Sequence, residues 1–183
     1  MTSVHLVALG RDAMLALLDD DLVTASELAG IPLSDFYTSD DITWLWRIRE
    51  KQIAENPESE NWAAFVVVDD ETGAPVGHAG FHGPPNADGF VEIGYSIDPG
   101  MRRRGFAKAT VAALLTRVAD DDRVVTVRAT ISPENAASLG TIAGFGFARN
   151  GEQWDEEDGL EWIFDLDLAK HGSLQARSPK EQA

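Results

Sequence analysis

The chain has 183 residues, 44% of them apolar, no cysteine and a formal net charge of −16. That length and apolar share fit one domain with a substantial core, and the missing cysteine excludes disulfides, thiolate metal sites and a cysteine nucleophile. An acidic body is a poor binder of nucleic acid, which calls for a basic face, and no run is apolar for long enough to cross a bilayer.

Residues 1–10 lack both a basic start and a long apolar stretch, so no signal segment is recognised and a cytoplasmic location is expected. Acidic clusters at 19–21, 40–41, 69–71, 120–122 and 155–158 fall between periodic segments and read as solvated turns. A second reading lets some of them steer a cationic acceptor.

In chain order, Val4–Ala8 reads as a short strand with His5 as an exposed alternate residue. Arg11–Leu28 predicts one helix, with Met14, Leu17, Leu18 and Leu22 on one stripe, ended by Gly30-Ile31-Pro32. A second helix is predicted from about Asp41 to Glu55, capped by Ser39 or Thr38 and stopped by Asn56-Pro57. Its expected inward residues are Trp44, Leu45, Ile48 and Ile53.

Trp62–Val68 and Pro75–Phe81 flank the turn signal Asp69-Asp70-Glu71-Thr72-Gly73 and predict a hairpin. His78 and His82 stand at a spacing that lets both face one side of a strand. No third ligand at suitable spacing accompanies them, so they read as structural histidines and no metal is expected. After the loop Gly83–Gly89, Phe90–Ile97 predicts a strand in which Phe90, Glu92, Gly94 and Ser96 point one way and Val91, Ile93, Tyr95 and Ile97 the other. Alternation alone makes Glu92 an ordinary solvent-facing residue.

The stretch from Pro99 to Ala109 changes character. A strand leads into a tight turn holding Arg102, Arg103 and Arg104, and then into a helix whose Ala107, Val111, Leu114, Leu115 and Val118 share a face. Cations at a helix N-terminus are disfavoured by roughly 0.3–1 kcal/mol each, whereas the exposed N–H groups there suit an anion. A small phosphorylated ligand would reconcile the two. Solvated arginines that only aid solubility are the competing account.

Beyond this helix, Arg123–Ile131 predicts a strand, and Ser132-Pro133 a helix start with Ser132 as N-cap and Pro133 in the first helical position. That helix is expected to end near Gly144 to Gly146. Phe147–Gln153 and Leu160–Leu168 predict a final hairpin around the acidic loop Trp154–Gly159. From Lys170 the composition turns polar, so the expected organisation is a domain over 1–169 and a disordered tail over 170–183.

Two spaced signatures stand together: Glu92-Ile93-Gly94-Tyr95-Ser96-Ile97-Asp98-Pro99 followed by Arg102-x-x-Gly105-x-Ala107, and Asn135-x-x-Ser138 followed by Gly146-Phe147. This pattern resembles the GNAT superfamily of N-acetyltransferases, and within it the RimJ/RimL type that acetylates protein N-terminal amines. The resemblance spans Val4 to Leu168 in element order and draws its specificity from Glu92 to Phe147.

It implies an α/β (α+β) fold, a single domain with a mixed, largely antiparallel sheet splayed between two parallel central strands and flanked by helices. It further implies acetyl-CoA as cosubstrate, with the pyrophosphate on the amides of Arg102, Arg103, Arg104, Gly105, Phe106 and Ala107. The backbone of Ile97 and the side chain of Asn135 would meet the pantetheine arm. Glu92 becomes the expected base, acting through a water, with backbone N–H groups near the strand as the oxyanion donors. Where many members carry a tyrosine to protonate the thiolate, this chain has Ile142, and Ser138 is the candidate donor, with a structural helix serine as the competing account.

The implied acceptor is a peptide or protein N-terminal amine; a small amine such as an antibiotic, polyamine or amino acid is the alternative. A non-catalytic acyl-CoA-binding module is the reading from another class. Nucleic acid and membrane are not expected partners, and a homodimer is common in the resembling type.

Overall fold

In a computed structural model of the chain, the described residues are 2–156 and 159–169; the expected tail and part of the loop after Trp154 lie outside them. The strands are β1 (Val4–Ala8), β2 (Phe65–Asp69), β3 (Pro75–Phe81), β4 (Phe90–Ile97), β5 (Thr126–Ile131), β6 (Ala148–Asp155) and β7 (Gly159–Asp167). The helices are α1 (Arg11–Leu18), α2 (Leu22–Ala29), α3 (Asp40–Glu55), α4 (Phe106–Val118) and α5 (Ala136–Ile142). The strands run in the order β1-β2-β3-β4-β5-β7-β6. Every neighbouring pair is antiparallel except β4 and β5. This is the mixed α/β architecture that the sequence implies.

The described residues fall into two compact units, one formed by those up to Pro84 with Ile93–Leu114, the other by Pro85–Glu92 with those from Leu115 onward. In the first unit, β2 is buried along its whole length, as expected for the run Phe-Val-Val-Val, whose branched side chains suit a sheet covered on both faces. Around Val66 and Val68 packs a core that includes Leu9, Met14, Leu17, Ala25, Tyr37, Ile42, Trp46 and Ile53. Each large side chain fully buried in this way contributes roughly 1.5–3 kcal/mol of hydrophobic stabilisation. Tyr37 keeps its polar end satisfied by donating from Oη to the Gly77 carbonyl at 2.6 Å, and Trp46 donates from Nε1 to the Tyr37 carbonyl at 2.8 Å.

The expected single helix over Arg11–Leu28 is two. Asp20 adopts φ 58°, and Asp21 caps the second helix by accepting from the Thr24 N–H at 3.0 Å. An aspartate three residues before its donor, in a run of three, favours a new N-terminus over a continued helix. The inward face of α3 also differs from expectation. Trp44 and Ile48 are each 49% exposed, while Ile42, Trp46, Arg49 and Ile53 are buried. That set repeats at i, i+4, i+7 and i+11, a phase rotated from the expected one by about a quarter turn; Ile53 is inward as expected, and Leu45 packs against the core. Ser39 holds the N-cap position without capping through its side chain, donating instead to the Phe36 carbonyl at 2.8 Å.

In the second unit β5 alternates cleanly. Val127, Ala129 and Ile131 are buried, and Thr126, Arg128 and Thr130 are half-buried on the opposite face. The strand is shorter than the expected Arg123–Ile131. The helix after it starts later than Ser132-Pro133 predicts: α5 begins at Ala136, because Asn135 is the N-cap and accepts from the Ser138 N–H at 3.0 Å. The Ser132 hydroxyl accepts from the Glu134 N–H at 3.3 Å, and its carbonyl from the Asn135 N–H at 2.9 Å. In the closing hairpin Trp154 and Asp155 extend β6 into the expected loop.

Candidate functional site

Two groups of candidate residues stand out, one in each unit. In the first unit, β4 ends at Ile97 and the chain turns through a short 3-10 segment, Pro99–Met101, before α4. Asp98 starts that segment by accepting from the Gly100 N–H at 2.8 Å. Arg103 then adopts φ 60° and Gly105 φ 89°. Two left-handed residues so close together fold the backbone back tightly, and only glycine takes that region at no steric cost. A Cβ at Gly105 would also stand 3.2 Å from the Thr2 Oγ1. Residues 102–105 are all exposed, and the first turn of α4 carries no acidic side chain. An exposed, positively charged helix start without a carboxylate is a fitting seat for a phosphate group.

The three arginines differ from one another. Arg102 turns inward and donates from Nε to the Ile97 carbonyl at 3.0 Å. Arg104 lies over the buried Phe106 ring, 5.1 Å from its centroid, while its carbonyl accepts from the Thr2 hydroxyl at 2.8 Å. Arg103 projects from the left-handed position. The Ile97 carbonyl, expected to meet a pantetheine arm, is thus already an acceptor for Arg102. In α4, Val111, Leu114, Leu115 and Val118 are buried as expected, and Ala107 is half-buried.

The second group lies on one face of β4, β5 and β7. Register pairs Glu92 with Arg128 across the parallel strands, and Arg128 with Asp165 across the antiparallel ones. Thr130, two residues beyond Arg128, donates its hydroxyl to Glu92 Oε1. Arg128 grips Asp165 with two bonds, Nε to Oδ1 at 2.8 Å and Nη2 to Oδ2 at 3.0 Å, and lies over the Phe90 ring, 5.0 Å from its centroid. Asn150 adds a further bond to Asp165 Oδ2 at 2.7 Å. The guanidinium holds the Asp165 carboxyl below the usual carboxylate range, with the Asn150 bond acting the same way against the opposing effect of burial. Arg128 is itself pushed further toward its charged form, first by its bond to Asp165 and in lesser part by the charge of Glu92.

Ser138 is half-buried in the first turn of α5, its N–H held by the Asn135 side chain. The carbonyl oxygen of that side chain, expected to serve a pantetheine arm, is therefore also the helix cap. Sequence reasoning missed Arg128, Thr130 and Asp165. The available signal was the alternation Thr126, Arg128, Thr130 against Val127, Ala129, Ile131.

His78 belongs to the first unit's sheet face, where its ring stacks on Phe36 at 6.1 Å and meets Trp46 edge-on at 5.4 Å. Burial, aided by the nearby Arg49 charge, pushes its pKa down to about 4, so the ring is neutral at pH 7. His82 accepts at its carbonyl from Gln52, and its ring lies 3.4 Å from where a Cβ on Gly94 would be. Among the described residues no group of three or more histidine, aspartate or glutamate side chains is placed to hold a metal ion, and no helix is long and apolar enough to cross a membrane. A depression of about 530 Å3 among Gly10, Arg11, Leu28, Ile53, Pro57 and Glu60 contains none of the residues singled out from sequence.

Residues 11–148 match the family model described as an acetyltransferase (GNAT) domain. The chain is 24% identical over 133 residues to an uncharacterized N-acetyltransferase, YjdG, of Bacillus subtilis, covering 73% of this chain and 74% of that protein. It is 31% identical over 123 residues to the L-2,4-diaminobutyric acid acetyltransferase of Streptomyces coelicolor, covering 62% of this chain and 72% of the relative. In structure it resembles the ribosomal-protein-S5-alanine acetyltransferase of Vibrio fischeri with a TM-score of 0.60 at 16% identity, over 90% of this chain and 92% of that one. At that identity the likeness concerns the fold.

Proposed function

Since the chain belongs to the GNAT family of acetyltransferases, we propose that it transfers an acetyl group from acetyl-CoA to a primary amine, with Glu92 as the base. The observation that carries this reading is a carboxylate on the parallel strand pair β4–β5, fixed by a hydroxyl from the neighbouring strand. Acetyl-CoA supplies the acetyl group as an activated thioester. The exposed turn from Arg102 to Ala107 suits its phosphates, with Arg103 and Gly105 giving the backbone its shape and the arginines its charge.

The acceptor must lose its ammonium proton to become a nucleophile. Glu92 takes that proton through a water, and its fixed carboxylate oxygen orients the path. The departing thiolate needs a proton in turn, which we assign to Ser138, since Ile142 is buried and carries no donor.

The acceptor proposed first is a peptide or protein N-terminus, supported by the RimJ/RimL-like motifs. The 31% identity to a diaminobutyrate acetyltransferase favours a second reading, a free diamino acid. Thiol release from acetyl-CoA separates the two when measured with peptides starting in serine or alanine and with 2,4-diaminobutyrate. Turnover of a peptide supports the first reading, and turnover of the diamino acid alone replaces it with the second. Calorimetric binding of acetyl-CoA without turnover of any amine would instead support a non-catalytic acyl-CoA-binding module.

A further inference from the structure

We infer that Thr130 is a positioning residue for proton transfer, acting through Glu92; this rests on the reading of Glu92 as the base. Register supplies the placement. Glu92 and Arg128 are parallel neighbours on one sheet face, and Thr130 projects from that same face two residues along β5. The direction of the bond follows from the groups. A carboxylate ready to act as base only accepts, so the Thr130 proton points at Glu92 Oε1.

Glutamate is a long side chain with several rotatable bonds, whereas threonine is branched at Cβ and stiff at χ1. A hydroxyl anchored on a central strand therefore restricts the carboxylate far more than a bond to another long side chain would. Arg128, which register places opposite Glu92, is committed to Asp165 through Nε and Nη2 and rests on the Phe90 ring. Its charge faces Glu92 while those two donors are spent elsewhere, and the hydroxyl of Thr130 sets the direction of the carboxylate. An ordinary cross-strand polar pair would contribute to stability alone. A positioning residue acts on the rate.

Thr130→Val removes the hydroxyl at nearly constant shape, and Thr130→Ser returns it. With the acceptor that gives the fastest thiol release, Thr130→Val should lower kcat by about tenfold to a hundredfold, the range expected when a reacting group is misplaced by about 1 Å. KM for acetyl-CoA should stay unchanged, and Thr130→Ser should recover most of the rate. Wild-type kcat in Thr130→Val beside a slow Glu92→Gln enzyme would overturn the positioning role and leave the base role standing. A wild-type rate in Glu92→Gln would overturn both, and equal losses in the valine and serine variants would show that the hydroxyl is not what matters.

A crystal structure of Thr130→Val, or of Thr130→Ala where valine does not fold, reads the claim without any acceptor. There the Glu92 carboxylate should leave its position, and a carboxylate still in place would overturn the inference.

Discussion

Each unit has one sheet face that holds ionisable side chains, and the two faces have opposite chemistry. In the first, the face of β3 under α3 is lined by aromatic rings, and the ionisable group there, His78, is held neutral. In the second, the face of β5 carries Arg128 and Thr130 against Glu92 and Asp165, and the charged forms of Arg128 and Asp165 are kept by pairing. Burial with apolar partners removes charge, and partial burial with matched partners preserves it.

The largest effect that would test the division of labour between turn and sheet is at the turn. Gly105→Glu forces a side chain into a backbone at φ 89° and adds a negative charge where phosphates are expected. Calorimetry should find acetyl-CoA binding lost, with the variant still folded by circular dichroism; retained affinity would move the phosphate seat elsewhere.

The aromatic face predicts acid sensitivity. In the unfolded chain His78 takes up a proton below its ordinary value of 6.5, while in the fold it stays neutral down to about 4. Between those values the unfolded state binds more protons, so stability falls as pH drops from 6.5 to 4 and this loss stops below 4. The loss should be on the order of 3 kcal/mol. Urea unfolding across that range should show it, and His78→Phe, which cannot titrate, should flatten the curve.

The charged face predicts the reverse residue and a smaller effect. Arg128→Met leaves Asp165 without its two-pronged partner and should cost about 1–2 kcal/mol at pH 7. The folded pKa of Asp165 lies below its unfolded value, so this contribution is present above the ordinary aspartate value of about 3.9 and is lost as pH falls through the folded one. The gap between wild type and variant in urea should therefore close in acid. Smallest of these effects, Ser138→Ala should slow turnover by about threefold to tenfold, since water can replace a hydroxyl as proton donor; an unchanged kcat would return Ser138 to a structural role.

The turn and the charged face were unequally legible. Arg102 to Ala107 is contiguous, so its strand, turn and helix order is visible in sequence, and the left-handed glycine is where the motif puts one. Glu92 stood out between apolar strand neighbours just before Gly94, but alternation treats it as any exposed strand residue, and its role as base came only through the family resemblance. Thr130 and Arg128 were not legible, since their partners lie 38 and 37 residues away and meet them through strand register. The break after Leu18 and the rotated face of α3 failed for a local reason. Aspartate capping and helix phase are decided by single residues that a periodicity window averages over.

We propose that Glu92 is the base and that the turn is only the cofactor handle. Steady-state kinetics and calorimetry on Glu92→Gln test both halves at once. In that variant kcat should fall about a hundredfold or more with acetyl-CoA affinity unchanged. Wild-type turnover by Glu92→Gln would contradict it.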